Sequence, residues 1–411
     1  MGKRNLFVMI CCVALIFTGC TTAPPDYSNE YNPDTDYQYF YHEQSVGIRT
    51  GASKDGYYFL NNNYIYYMDK KSMKPVLLDN RPDSDCLRKE GTNPIENCNA
   101  YVAQYAGDKD FLNYYNGKLY TIASSTVTEK DKQVDRAELI ELSKDGTKRR
   151  KILTFEFIPQ AIAIHRGVVY YSSMDYAANS DRKYQIKQLH LDQRSAKPEV
   201  IYEGTQDNGY IVDIIPYGKN VYILEMGTNL YHVLRYDIQD QTFTPLFDDD
   251  DNSNELIGGI TNQKLIFTKF YGNPLDERSW SFYEANLEGE HVRTLPIKRD
   301  FLSQVYADNQ FVYARTAWYY LTPELAEGKS DPNQMNVYDL NYELIDSFDV
   351  SFLPMNHTIF VGDDNYMFVH YAEDGKELIA VLDKSQIGAG KAAFHTLIET
   401  KNEGPTLRTI R

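Results

Sequence analysis

The stretch GYYFLNNNYIYYMDKKSMKPVLL, from Gly56 to Leu78, holds short aromatic runs separated by an Asn-rich turn and a Lys-rich one. Alternating runs bounded by Asn, Asp or Gly are the mark of strands joined by hairpins. The chain carries 35 Tyr in 411 residues, so the pattern calls for a search for repeats. Two kinds of turn recur. The first separates period-2 strands, as in AIAIHRGVVYYSS from Ala161, DIIPYGKNVYILEM from Asp213 and QVYADNQFVYART from Gln304. The second follows a YxLxxDxxxxK-like strand, as in LIELSKDGTKRRKIL, LRYDIQDQTFTPLF and AVLDKSQIGAGKAAFHTL. The two alternate strictly, and the second kind centres near residues 71, 145, 194, 239, 288, 341 and 385. Four strands at a step of about 52 residues is the signature of a propeller blade. The expected fold is all-β: a single seven-bladed β-propeller of four-stranded antiparallel blades. In this reading Gly56–Leu78 is strands B, C and D of the first blade, and SVGIRT (Ser45–Thr50) supplies strand A. Neither a WD dipeptide nor a kelch signature is present.

The N-terminus reads differently. Lys3 and Arg4 precede the short apolar run NLFVMICCVALIFTG, which is too short for a comfortable bilayer span and suits a cleaved signal. The run resembles a bacterial lipoprotein signal, with Phe17-Thr18-Gly19 before Cys20. That resemblance implies a signal peptide over 1–19, a lipidated, palmitate-bearing Cys20, and a protein held to the cell membrane or outer membrane on its extracytoplasmic side. The polar, Pro-containing residues 20–43 are expected to form a tether, and 44–411 the propeller. Losing Lys3 and Arg4 takes the formal charge from −16 to −18. Such a surface argues against nucleic acid and against anionic headgroups as partners. Only Cys86 and Cys98 remain for the domain. Two nearby cysteines in an oxidising compartment favour a disulfide, contributing about 3 kcal/mol in the chain-entropy model.

The run from GYYF through YIYYMDKKSMKPVLL to Cys86 and CNAY is similar to the Tyr-rich bacterial lipoprotein propellers of unknown function. These are in turn similar to the YWTD propellers of the low-density-lipoprotein receptor. The resemblance covers the first blade closely and implies fold and location, but no reaction.

In a propeller the A–B and C–D turns share one face, and the B–C and D–A connections share the other. The long insertions all fall on the second: STVTEKDKQVDRA, MDYAANSDRKY, YGNPLDERSW and TAWYYLTPELAEGKSDPNQM, joined by the Cys86–Cys98 loop. Loops elaborated on one side of a rigid scaffold are where binding residues concentrate. The candidates are Asp175, Tyr176, Arg182, Arg278, Trp280, Arg315, Trp318, Tyr319 and Tyr320, an Arg and aromatic set of hot-spot composition.

Motifs for chemistry are sparse. The eight histidines form no H-E-x-x-H pattern, there is no G-x-S-x-G elbow, and IGAGKAAF from Ile387 reads as a turn, not a phosphate loop. The acidic run at Asp248–Asp251 offers oxygen ligands for Ca²⁺ without an EF-hand's spacing, and a solvated loop is the simpler reading. The expectation is a monomeric binding or scaffolding module without a cofactor, metal site or catalytic residues. Its loop face would recognise a protein, peptide or envelope glycan. The alternative is an extracytoplasmic carbohydrate-active enzyme with carboxylates assembled across blades at the central channel.

Overall fold

The computed structural model describes residues 27–38, 48–79, 86, 98–103, 111–129, 132–176, 182–193, 196–204, 209–227, 230–247, 253–271, 280–297, 303–316, 333–353 and 359–401. Regular structure among them is strand, apart from a 3₁₀ turn at Lys384–Gln386, and no helix is long and apolar enough to cross a membrane.

Each four-strand unit is a run of consecutive antiparallel strands. The first is β1 (Thr50–Ala52), β2 (Gly56–Asn61), β3 (Tyr64–Asp69) and β4 (Pro75–Leu77). The next is β5 (Leu112–Tyr115), β6 (Lys118–Glu129), β7 (Lys132–Ser143) and β8 (Arg149–Thr154). Then come β9 (Ile162–His165), β10 (Val168–Tyr176), β11 (Arg182–His190) and β12 (Glu199–Glu203). They are followed by β13 (Tyr210–Tyr217), β14 (Asn220–Met226), β15 (Tyr231–Asp237) and β16 (Thr242–Pro245). An eight-stranded sheet contains β17 (Ser253–Thr261), β18 (Lys264–Tyr271), β19 (Trp280–Asn286) and β20 (Arg293–Thr294), with β21 (Ser303–Ala307), β22 (Val312–Thr316), β23 (Gln334–Tyr338) and β24 (Leu344–Asp349). Its halves meet through a single parallel pair, Gly259 with Ala307. A Cβ on Gly259 would fall on the Ala307 backbone, so only glycine lets these first strands approach so closely. The last sheet is β25 (Ile359–Gly362), β26 (Tyr366–Glu373), β27 (Lys376–Asp383) and β28 (His395–Lys401).

The turn chemistry explains the repeat. Asn62-Asn63, Asn116-Gly117, Arg166-Gly167, Asn262-Gln263 and Asp374-Gly375 all have positive φ at both positions, the two-residue geometry that matches strand twist. The recurring Asp or Asn of the second turn type is a cap. Asp69 Oδ1 accepts from the Lys71 and Ser72 amides, Asp237 Oδ1 from Gln239 and Asp240, Asn286 Oδ1 from Glu288 and Glu290, and Asp339 Oδ1 from Asn341 and Glu343. Strand A of the first unit is Thr50–Ala52, just past most of the expected SVGIRT segment. The Cys86–Cys98 disulfide is present, with Cα atoms 5.0 Å apart. Two expected loop insertions are instead strand: Thr126 to Glu129 pair with Lys132 to Asp135, and Asp175 and Tyr176 pair with Lys183 and Arg182.

Sheets pack through their faces. Phe247 stacks on Phe267 at 4.1 Å, Phe155 meets Tyr171 at 5.2 Å, and Tyr58 stacks on Tyr114 at 6.1 Å, each contact joining successive units. The first and last sheets also pack together. Tyr57 lies against Phe368 at 4.9 Å and donates its hydroxyl to Asp363 at 2.6 Å. Asn61 Nδ2 donates to Thr400 Oγ1, and the Asn62 amide donates to Glu377 Oε2. The ring therefore closes by side-chain contacts between the β1–β4 and β25–β28 sheets.

At that seam His370 is fully enclosed, with its Nε2 2.9 Å from Thr50 Oγ1. Burial, aided by the Arg49 guanidinium, lowers its pKa from 6.5 to about 3. Between those values the unfolded chain holds a proton that the folded chain does not, so stability falls as pH drops below 6.5. Urea midpoints measured from pH 7 to pH 5 should therefore decline, and the decline should be smaller in His370→Gln.

Candidate functional site

On the face of the B–C and D–A connections, a cavity of about 590 Å³ opens between the β5–β8, β9–β12 and β13–β16 sheets. It is built from the start of β7, the end of β10 and the connection after β8. That connection, FEFIPQ, turns Phe155 inward, while Phe157 points out and is 41% exposed. A pair of bonds fixes its far end to β10: the Ala161 amide donates to Ser172 Oγ, and the Ser172 amide to the Ala161 carbonyl, both at 2.9 Å. Apolar walls come from Ile158, Met174 and Tyr210, and charge of both signs from Asp135, Arg136 and Glu156.

Tyr184, on β11, lines the cavity and leads to a buried carboxylate. Its hydroxyl donates to Glu225 Oε1, and the Tyr202 hydroxyl donates to Glu225 Oε2 at 2.7 Å. Glu225 is 4% exposed and lies on β14, in the neighbouring sheet. The ring of Tyr184 is seated between Gly204 and Gly209, where a Cβ on either would overlap it. Burial, reinforced by the bond to Glu225, raises the Tyr202 pKa, so this phenol stays a donor. With a phenol on each oxygen, Glu225 is an organising acceptor that fixes the cavity wall.

A second buried carboxylate, Glu255 on β17, has its pKa raised by burial, which outweighs Lys269 at 3.0 Å. It pairs with Lys269 across neighbouring strands of one sheet, β17 and β18. Among the described residues, the one group of three His, Cys, Asp or Glu side chains within metal-ligand reach is Asp79, Cys86 and Cys98. Its two cysteines are joined in the disulfide, and Asp79 Oδ2 also accepts from the Asn99 amide. The acidic run Asp248–Asp251 and the residues Arg278, Trp318, Tyr319 and Tyr320 lie outside the described residues, as does Cys20.

Of the remaining candidates, Asp175 and Tyr176 end β10 directly after the cavity residue Met174, and Arg182 opens β11 opposite Tyr176. Trp280 opens β19 opposite Phe270, in a different sheet. Arg315 is a strand residue of β22, opposite Gln304 and Met335, and only 3% exposed, so it belongs to the interior. The residues lining the cavity are therefore other than the predicted candidates, which adjoin it only along the strands β10 and β11. The Tyr184–Glu225–Tyr202 group was not anticipated. Its one sequence signal is a lone carboxylate in the otherwise apolar VYILEM strand.

No protein-family model and no curated protein matches the chain. Solved structures do. An oligogalacturonate lyase in complex with manganese is 12% identical over 85% of this chain and 90% of its own, with a TM-score of 0.50. The oligogalacturonate lyase of Vibrio parahaemolyticus is 9% identical over 86% and 92%, with a TM-score of 0.51. Prolyl oligopeptidase B from Galerina marginata, bound to a 35mer substrate, is 10% identical over 90% of this chain, with a TM-score of 0.54. This chain spans 52% of that peptidase. The fold is a β-propeller. At these identities the likeness carries no activity.

Glu225→Gln keeps one acceptor oxygen and turns an amide toward the other phenol. It should cost about 1.5–3 kcal/mol in urea unfolding, the range for a hydrogen bond to a charged group. Tyr202→Phe, which leaves the Tyr184 bond intact, should cost less.

Proposed function

We propose that the chain is an extracytoplasmic, lipid-anchored binding module, a propeller of seven four-stranded blades. It takes a partner polypeptide on its B–C and D–A face. The cavity lined by Phe157 and Met174 carries this reading. An exposed phenylalanine, a methionine and charges of both signs line one concave surface, the mixture that anchors a peptide better than a sugar ring. The seven-blade count is supported by the single-pair junction of the eight-stranded sheet, which makes each of its halves one blade.

Chain entry supports the orientation. The Ser28 carbonyl accepts from Arg166 at the β9–β10 turn, on the opposite face from the cavity. Cys20 is eight residues earlier, within roughly 30 Å of extended chain. A lipid on Cys20 would hold the A–B face toward the membrane and turn the cavity outward. Cleavage of the signal over 1–19 would leave Cys20 as the lipid-bearing first residue.

A photo-reactive residue at Phe157, with a control at Lys148 on the C–D face, tests it in intact cells. A discrete protein adduct from Phe157 and none from Lys148 is the expected result. Equal labelling from both positions, or cleavage of an envelope glycan by the purified protein, would overturn the reading.

A further inference from the structure

Residues 27–38, expected to be tether, are packed against the domain. The segment NPDTD folds on itself: the Asp36 amide donates to the Asn32 carbonyl at 2.8 Å, and the Asp34 amide to Asn32 Oδ1 at 3.0 Å. It then touches one A–B turn after another. The Asn116 amide, at the β5–β6 turn, donates to the Asp34 carbonyl at 2.6 Å. At the β9–β10 turn, the Arg166 amide donates to the Thr35 carbonyl at 2.7 Å, and its guanidinium grips Asp36 through both oxygens at 2.8 and 3.0 Å. Asn29 abuts Gly218 at the β13–β14 turn. Gln38 exchanges two bonds with the backbone of Ala52 in β1. These twelve residues thus span the A–B side of four successive sheets, from β1 to the β13–β14 turn.

The interior agrees. Tyr37 is buried, and its amide donates to His165 Nδ1 at 3.0 Å while His165 Nε2 lies 2.8 Å from the Gly218 carbonyl. That places the ring proton on Nε2 and uses both nitrogens of a neutral imidazole. Tyr37 belongs to one buried cluster holding Tyr57, Phe59 and Phe368 from the closing seam together with Ala163, Ile214 and Ile223 from the β9–β12 and β13–β16 sheets. Asp36 is 2% exposed. A carboxylate so enclosed is tolerated only with a well-aligned partner, and Arg166 supplies it.

We infer that residues 27–38 are a built-in plug that seals the A–B end of the ring's centre, latched by Asp36 and Arg166. The centre then communicates with solvent from the cavity face alone. This inference stands whether or not the cavity binds a polypeptide.

The test uses the full chain with Ala163→Cys, which places a thiol at a fully buried position in the Tyr37 cluster. Alkylation is followed peptide by peptide by mass spectrometry, so the native cysteines do not interfere. With the plug intact, the introduced thiol should react slowly. Adding Asp36→Ala should speed its alkylation at least about tenfold and deprotect the amides of 27–38 to hydrogen exchange, by analogy with local opening. The β14 and β26 amides should stay protected in both, which separates unlatching from unfolding. Arg166→Lys, retaining one charge, should give an intermediate rate. Free-chain exchange of 27–38 with the latch intact, or equal alkylation of the introduced thiol with and without Asp36, would overturn the inference.

Discussion

A tyrosine that fills the gap between two sheets with its ring and donates its hydroxyl to a carboxylate on the neighbour is the contact on which this ring of sheets depends. Tyr57 reaches Asp363 across the closing seam, Tyr184 and Tyr202 reach Glu225, and Tyr342 reaches Glu284. A phenylalanine would fill the same space but would leave each carboxylate short of a donor. Burial raises the pKa of Tyr57, Tyr202 and Tyr342, and the carboxylates they face raise it further, so all three remain donors. The reciprocal effect shows at Glu284. Burial alone would push it up, yet the bonds from Tyr342 and Lys264 hold it below the usual carboxylate range.

This contact makes sense of the composition. A propeller has many flat sheet-to-sheet interfaces, and here aromatic rings fill them beside aliphatic side chains. The aromatic ring supplies area, and the hydroxyl supplies registry between sheets. Part of the acidic excess serves the same framework. Asp69, Asp237 and Asp339 cap turns, and Glu225, Glu284 and Asp363 receive phenols, so these carboxylates are structural before they are surface charge. The two faces of the ring then diverge. On the A–B side short turns receive residues 27–38, and on the other side β6–β7 and β10–β11 extend beyond their neighbours around an open cavity.

The parts of the structure legible in the sequence are those set by neighbouring residues. Alternating strands and Asn-Gly or Arg-Gly turns declare a hairpin within a few residues, so the strand repeat could be read along the chain. Contacts across long separations could not. Glu225 pairs with Tyr184 from 41 residues away, and Tyr57 with Asp363 from 306. Residues 27–38 misled for a related reason. Their polar, Pro-containing composition is that of a tether, and only the partner Arg166, hidden in an ordinary-looking hairpin turn, makes Asp36 an interior residue. Arg315 fell to the opposite error, since its type suggested a rim contact while its strand position put it inside.

If tyrosine hydroxyls tie the sheets together, the closing seam is where the tie must be measurable, because there the first and last sheets meet without a shared strand among the described residues. A double-mutant cycle with Tyr57→Phe and Asp363→Asn, read by urea unfolding, isolates that bond from the packing around it. The account predicts a coupling of about 1.5 kcal/mol or more, the scale of a hydrogen bond to a charged group. Strictly additive losses would contradict it and leave ring closure to apolar contact alone.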